Sequence, residues 1–218
     1  MDEEFWLARW AKNDIGFHKN EPHHYLQRFF DLLQVRDGES FFVPLCGKSR
    51  DLLWLRDQGL HVRGIELSRA ALEAFVNENQ LSGEWLSQAA LPCYCAQGYK
   101  LYCGDFFKLT AAALDGARAV YDRGAVVAFP PEMRARYARH LAALLPSGGR
   151  VLMVSYEYDQ SETMGPPFSV DRQELESLFG PAFLLEPLAA EDSLRSHQGL
   201  AARGVTQLTE FAVLLIRR

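Results

Sequence analysis

Short apolar runs alternate with helical stripes through most of this chain, the order expected of a parallel α/β sheet. The runs predict strands near 41–45, 61–65, 100–103, 117–121 and 149–156, with helices near 49–58, 69–79 and 131–145 between them. Met133, Tyr137, Leu141 and Leu144 make the clearest stripe, and Pro146-Ser147-Gly148-Gly149 stops it. Gly59 closes the first helix of the sheet. Ahead of this alternation, Trp6 and Trp10, then Tyr25, Phe29 and Leu33, recur at helical spacing and predict a helical cover segment over residues 1–35. Beyond Tyr156 the pattern changes to a proline-interrupted loop, Met164-Gly165-Pro166-Pro167-Phe168, then a short helix near 171–178 and strands near 182–187 and 208–216. About twenty residues separate these last two strands, and connections of that length often serve as lids or binding loops. No repeat, low-complexity tract or linker divides the chain, so residues 1–218 are expected to form one domain.

Composition narrows the function. With 218 residues, 48% of them hydrophobic and 23% charged, the chain can bury a full core without disulfides or metal. No apolar run approaches the length of a membrane helix, and the acidic start, Met1-Asp2-Glu3-Glu4, is unlike a secretory signal. Cytoplasmic residence is the expectation. A net charge of −5 argues against broad binding to nucleic-acid phosphates. Cys46, Cys93, Cys95 and Cys103 make no C-x-x-C framework, and His18, His23 and His24 have no ligand spacing, so four reduced thiols and no metal site are expected.

The richest stretch runs from Phe41-Phe42-Val43-Pro44-Leu45-Cys46-Gly47-Lys48-Ser49 through an apolar helix to Gly64-Ile65-Glu66: strand, glycine turn, helix, strand, terminal carboxylate. Gly47 lets the backbone turn sharply and approach a ligand. Glu66 follows it by 19 residues, near the interval of about 20 at which an acid meets a ribose in nucleotide-binding βαβ units. The G-x-G-x-x-G cluster that cradles a pyrophosphate is absent, which points to a nucleoside without phosphates. Because ligands of an open parallel sheet lie beyond the carboxyl ends of its strands, the further candidates are Leu45 and Cys46, then Gly104-Asp105-Phe106, then Asp122-Arg123-Gly124. Asp105 reads equally as a helix cap, Phe106 and Phe107 as one core and one site residue, Asp122-Arg123 as a surface pair or a site pair. Trp10 reads by itself as a core residue or as an aromatic lid over a cationic ligand.

Taken together, the N-terminal Trp-x-x-x-Trp, Phe-Val-Pro-Leu-Cys-Gly-Lys-Ser at 42–49, Gly-Ile-Glu-Leu-Ser at 64–68, Tyr-Asp-Arg-Gly-Ala at 121–125 and Gly-Pro-Pro-Phe-Ser-Val at 165–170 resemble the bacterial-type thiopurine S-methyltransferase family, within the S-adenosylmethionine-dependent methyltransferases. The resemblance runs nearly end to end. It implies a Rossmann-like sheet of seven mostly parallel strands with an antiparallel last strand, helices on both faces and an N-terminal helical cover. It implies S-adenosylmethionine as methyl donor, held by Trp10, Leu45, Glu66 and Arg123, with Asp105 and Phe106 near the adenine. The acceptor would be an aromatic or heterocyclic thiol, or a selenium or tellurium compound, with Arg123 favouring the thiolate and Arg195 a substrate residue. A monomer is implied. Two other readings of the same βαβ unit stay open at this point: a nicotinamide-dependent reductase, against which the lone glycine counts, and a cofactor-binding regulator without turnover.

Overall fold

The computed structural model describes residues 3–87 and 91–218. Contacts cluster into two compact units, Met1–Tyr121 and Asp122–Arg218. Met1, Asp2 and residues 88–90 lie outside the described part.

The first unit opens with helix α1 (Glu3–Ala11), none of whose residues is buried. The core begins at α2 (His24–Phe29), where Tyr25 and Leu26 are fully covered. Strand β1 (Ser40–Val43) is apolar on both faces, as a central parallel strand must be. Helix α3 (Arg50–Asp57) starts at Ser49, whose side chain accepts the amide of Asp51. Strand β2 (His61–Glu66) runs parallel to β1, and α4 (Arg69–Glu78) is capped by Ser68 in the same manner. Strands β3 (Gly83–Leu86) and β4 (Cys93–Ala96) form an antiparallel pair, and β4 pairs antiparallel with β5 (Tyr99–Cys103). Parallel pairing then joins β5 to β2, and β1 to β6 (Ala119–Arg123). Strand order in this unit is therefore β3-β4-β5-β2-β1-β6, with the carboxyl ends of β1, β2, β5 and β6 pointing the same way.

The last two residues of β6 belong to the second unit. There α5 (Pro131–Leu144) buries the predicted stripe at Tyr137, Leu141 and Leu144. Strand β7 (Arg150–Glu157) pairs antiparallel with β9 (Thr209–Arg217), and β9 with β8 (Phe183–Asp192). Helix α6 (Arg172–Phe179) is tied to α5 by Arg134, which donates to both carboxylate oxygens of Glu174 at 2.6 and 2.8 Å. A short helix, α7 (Gln198–Ala201), interrupts the connection from β8 to β9.

Nine strands are present among the described residues where seven were expected. The two additional ones are the β3–β4 pair. Strand β3 is exposed at Gly83 and Glu84, and β4 buries only Cys93 and Tyr94, too short a run to mark a strand. The strand expected at 182–187 continues to Asp192, and the long connection is correspondingly shorter.

Candidate active site

In the first unit, three strand ends build one constellation around Glu66. Its carboxylate is buried, 7% exposed. One oxygen accepts the Gly47 amide at 3.0 Å and the other the Ser68 amide at 2.8 Å. Burial raises its pKa above the ordinary carboxylate range, and the amides of Ser68, Gly47 and Leu67 work in the opposite direction. The chain thus holds a carboxylate at the carboxyl end of β2 and braces it from the turns after β1 and β2. The end of β5 is tied in as well, because the Gly104 amide donates to the Glu66 carbonyl at 2.9 Å. Gly104 has φ +140°, which suits glycine alone, and a Cβ there would come within 2.7 Å of Leu91.

The turn after β1 is equally specific. Gly47 has φ +51°, and a Cβ on it would lie 3.0 Å from the Trp10 indole. Trp10 is half-buried and packs edge-on to Phe17 at 5.5 Å; its ring lies over the glycine turn rather than in the core. Leu45 holds φ +46°, an uncommon conformation for a residue with a branched side chain. Such strained backbone recurs at ligand sites. Cys46 is buried beside it, and burial followed by the Glu66 charge pushes its thiol well above the ordinary value, so it stays protonated.

Asp105 accepts the Phe107 amide at 2.9 Å, capping the 106–108 turn. The capping reading is therefore correct for one of its oxygens. Phe106 is 4% exposed and stacks parallel to Phe42 with centroids 6.5 Å apart. Phe107 is the more exposed of the two rings.

In the second unit, Arg123 ends β6 and is half-buried. Asp122 beside it is no surface residue. It is fully buried, accepts the amides of Ala125 and Val126 at 3.2 Å each, and accepts the Tyr137 hydroxyl at 2.6 Å. It braces the turn that carries Arg123, a role that sequence spacing alone did not disclose. Burial lifts the Asp122 pKa from 3.8 to about 6. The unfolded chain ionises this carboxyl near its ordinary pKa and the fold resists doing so, so its contribution to stability falls as pH rises from about 4 through about 6. Two pKa units correspond to roughly 3 kcal/mol. Asp122→Asn is expected to remove that dependence, so denaturant melts at pH 4.5 and 7 should show the variant gaining on the wild type at the higher pH. A constant difference between the two would contradict the assignment.

Arg195 lies on the exposed 194–196 turn, two residues before His197. Among the described residues no group of three or more His, Cys, Asp or Glu side chains is arranged to hold a metal ion, and no helix is long and apolar enough to cross a membrane.

The family model for thiopurine S-methyltransferase matches residues 1–218. A thiopurine S-methyltransferase of Nitrosospira multiformis is 44% identical over 218 residues, covering all of this chain and 99% of the relative. One of Pseudomonas fluorescens is 46% identical over 210 residues, 96% of each chain. Among solved structures, the Burkholderia thailandensis 1,6-didemethyltoxoflavin-N1-methyltransferase with bound S-adenosylhomocysteine superposes with a TM-score of 0.63 over 99% of this chain and 86% of that one, at 14% identity. The last comparison speaks for the fold alone.

Proposed function

The chain belongs to the thiopurine S-methyltransferase family, and from that premise we propose how its own residues perform methyl transfer from S-adenosylmethionine to an aromatic or heterocyclic thiol. The observation that carries the proposal is the buried Glu66 carboxylate at the end of β2, braced by the Gly47 amide.

The residues present fit the cofactor. A carboxylate offers about four lone-pair positions, and the Gly47 and Ser68 amides leave acceptor capacity for ribose hydroxyls. The bare backbone at Gly47 and the indole of Trp10 above it offer a close approach and an aromatic face suited to a cationic sulfonium. Asp105 and the 106–108 turn follow β5, where the adenine is expected, and Leu45 lines the turn after β1. When bound, the cofactor supplies an electrophilic methyl group. Neither a nicotinamide enzyme nor a turnover-free regulator is supported by the relatives.

Displacement at a methyl carbon needs the acceptor sulfur in line with the leaving sulfur, so positioning supplies much of the rate. The acceptor reacts as a thiolate. Arg123, a permanent cation, lowers the pKa of a nearby thiol by favouring its ionised form. No dedicated base is required for an aromatic thiol that already ionises near neutral pH. Arg195, exposed on the 194–196 turn, serves as a second cationic contact for the acceptor.

Within the N-terminal cover segment, residues 3–20 carry Trp10 over the Gly47 turn. Deleting residues 1–20 removes Trp10 yet none of the first unit's buried core, which starts at Tyr25. The truncated chain is expected to keep its melting temperature within a few degrees while losing about tenfold or more in cofactor affinity. Equal losses in both would leave the segment a structural element only.

The function is tested by incubating the protein with S-adenosylmethionine and 6-mercaptopurine and identifying the product. One added methyl on sulfur, released with stoichiometric S-adenosylhomocysteine, is expected. Turnover of the cofactor without a methylated thiol would move the acceptor to another class, with selenium or tellurium compounds next to be tried.

A further inference from the structure

The segment between β8 and β9 is fastened at separate points within the second unit. Thr206 donates through its amide and hydroxyl to Glu162 at 3.0 and 2.6 Å. Arg203 donates to the Pro166 carbonyl at 3.0 Å. The third tie is His197, which reaches inward to the ends of β7 and β9, and its chemistry is unusual.

Tyr156 and Glu210 face each other across the β7–β9 pair. Both are buried, at 8% and 3% exposure, and the tyrosine hydroxyl is hydrogen-bonded to the glutamate. His197 places Nε2 at 3.2 Å from the Tyr156 hydroxyl and 4.0 Å from Glu210 Oε1, while Nδ1 lies 2.9 Å from the Ser193 carbonyl. The ring packs edge-on to Tyr156 at 5.1 Å.

Neither neutral tautomer satisfies these contacts. With the proton on Nδ1, the Ser193 carbonyl is served but Nε2 must take the single Tyr156 proton. The tyrosine oxygen and the Glu210 carboxylate are then left as two acceptors in contact. With the proton on Nε2, Tyr156 is free to donate to Glu210, but the Nδ1 lone pair confronts a carbonyl oxygen at 2.9 Å. Ser196 lies 3.2 Å from Nδ1 and 2.8 Å from the same carbonyl, but its single hydroxyl proton serves one or the other and leaves the Nδ1 lone pair against the Ser193 oxygen either way. Only the doubly protonated ring donates at both ends. Its charge, 4.0 Å from Glu210 Oε1, also favours the ionised form of that buried carboxylate.

The charged groups acting at the neutral Tyr156 hydroxyl include Glu210 on β9 and Arg123 at the end of β6. At the Tyr156 hydroxyl the glutamate's field outweighs the arginine's opposing one.

We propose that His197 is carried as an imidazolium in the folded enzyme and is the positioning residue of the acceptor cover, fastening segment 193–206 to β7 and β9 through Tyr156 and Glu210. This rests on the proposed role of Arg195, which brings segment 193–206 over the thiol acceptor. The proton is lost as pH rises, and with it the fastening, so the acceptor KM climbs in alkali while affinity for the cofactor is unaffected.

The test uses the full chain saturated with S-adenosylhomocysteine. Long-range proton–nitrogen correlation spectra, with His197 assigned by its absence in His197→Gln, should show an imidazolium at pH 7 that titrates above neutrality. Glu210→Gln should move that titration at least one pH unit lower. Hydrogen exchange of amides 193–206 should quicken at least tenfold in His197→Gln at pH 6.5, and Tyr156→Phe, which keeps the ring, should do the same. In turnover assays His197→Gln should raise the thiol KM five- to tenfold at pH 6.5 with kcat within twofold, the wild-type KM approaching the variant's in alkali. A neutral imidazole at pH 7 overturns the proposal, and so does an imidazolium whose loss changes neither exchange nor KM. The spectra and exchange need no turnover, so they decide the matter even for an enzyme that methylated no thiol, an outcome that would instead count against the proposed acceptor.

Discussion

Replacement of Glu66 by alanine is expected to weaken S-adenosylhomocysteine binding by about 100-fold or more. Hydrogen bonds to an ionised group contribute about 1.5–3 kcal/mol each, so losing both ribose hydroxyl contacts costs roughly 3–6 kcal/mol. The Gly47 and Ser68 amides lose their partner as well, which loosens the turn that the cofactor must approach. Glu66→Gln is the sharper probe. It preserves size but turns one acceptor into a donor that faces a backbone N–H, so an intermediate loss is expected. The pH dependence has a definite sign. Burial raises the Glu66 pKa, so affinity holds at neutral pH and declines in acid, beginning above the ordinary carboxylate range. The empty fold responds oppositely, since it resists ionisation of the buried group and is relieved by its protonation. Titration calorimetry from pH 5 to 8 reads the first effect and denaturant melts the second. Near-wild-type affinity in Glu66→Ala would remove this residue from the cofactor site.

Arg123→Ala is expected to lower kcat/KM for 6-mercaptopurine by about 100-fold at neutral pH, the scale typical of one electrostatic contact to a reacting group. The shape of the loss matters more than its size. If Arg123 favours the thiolate, its removal raises the pH at which the bound acceptor ionises, so the defect narrows as pH rises and the profile of the variant shifts to the alkaline side. Arg123→Lys keeps the charge but not the planar fork and should fall between the two. The turn itself is braced by Asp122 through Ala125, Val126 and Tyr137, and those bonds stay in place in the alanine variant. A pH-independent loss would make Arg123 a contact without the electrostatic role, and unchanged turnover together with unchanged cofactor affinity would exclude it from the site.

The parts of this molecule that sequence discloses are those governed by local rules. The apolar runs of β1 and β2, the Ser49 and Ser68 caps, and the 19-residue interval from Gly47 to Glu66 are all local. The β3–β4 pair escaped because β3 is exposed at its start and only Cys93 and Tyr94 of β4 are buried, so register rather than an apolar run defines it. The placement of Trp10 over Gly47 joins positions 37 residues apart through packing that no periodicity encodes. Asp122 looked like a strand-end charge because its three donors come from the backbone three and four residues beyond it and from Tyr137 on α5. The two phenylalanines after Asp105 were indistinguishable in sequence, since only the position of Phe42 determines which of them is buried. His197 and Glu210 carried no motif at all; the pairing of β7 with β9 and a short turn bring them together.

The central claim, that this chain binds an S-adenosyl cofactor at the Glu66 end of β2 and methylates a small thiol, is tested most directly by one calorimetric titration. S-adenosylhomocysteine is titrated into the wild-type protein, and the same preparation is then assayed with S-adenosylmethionine and 6-mercaptopurine. Saturable one-to-one binding followed by methylated product is the predicted result. Absence of binding by a folded sample would contradict the account at its root.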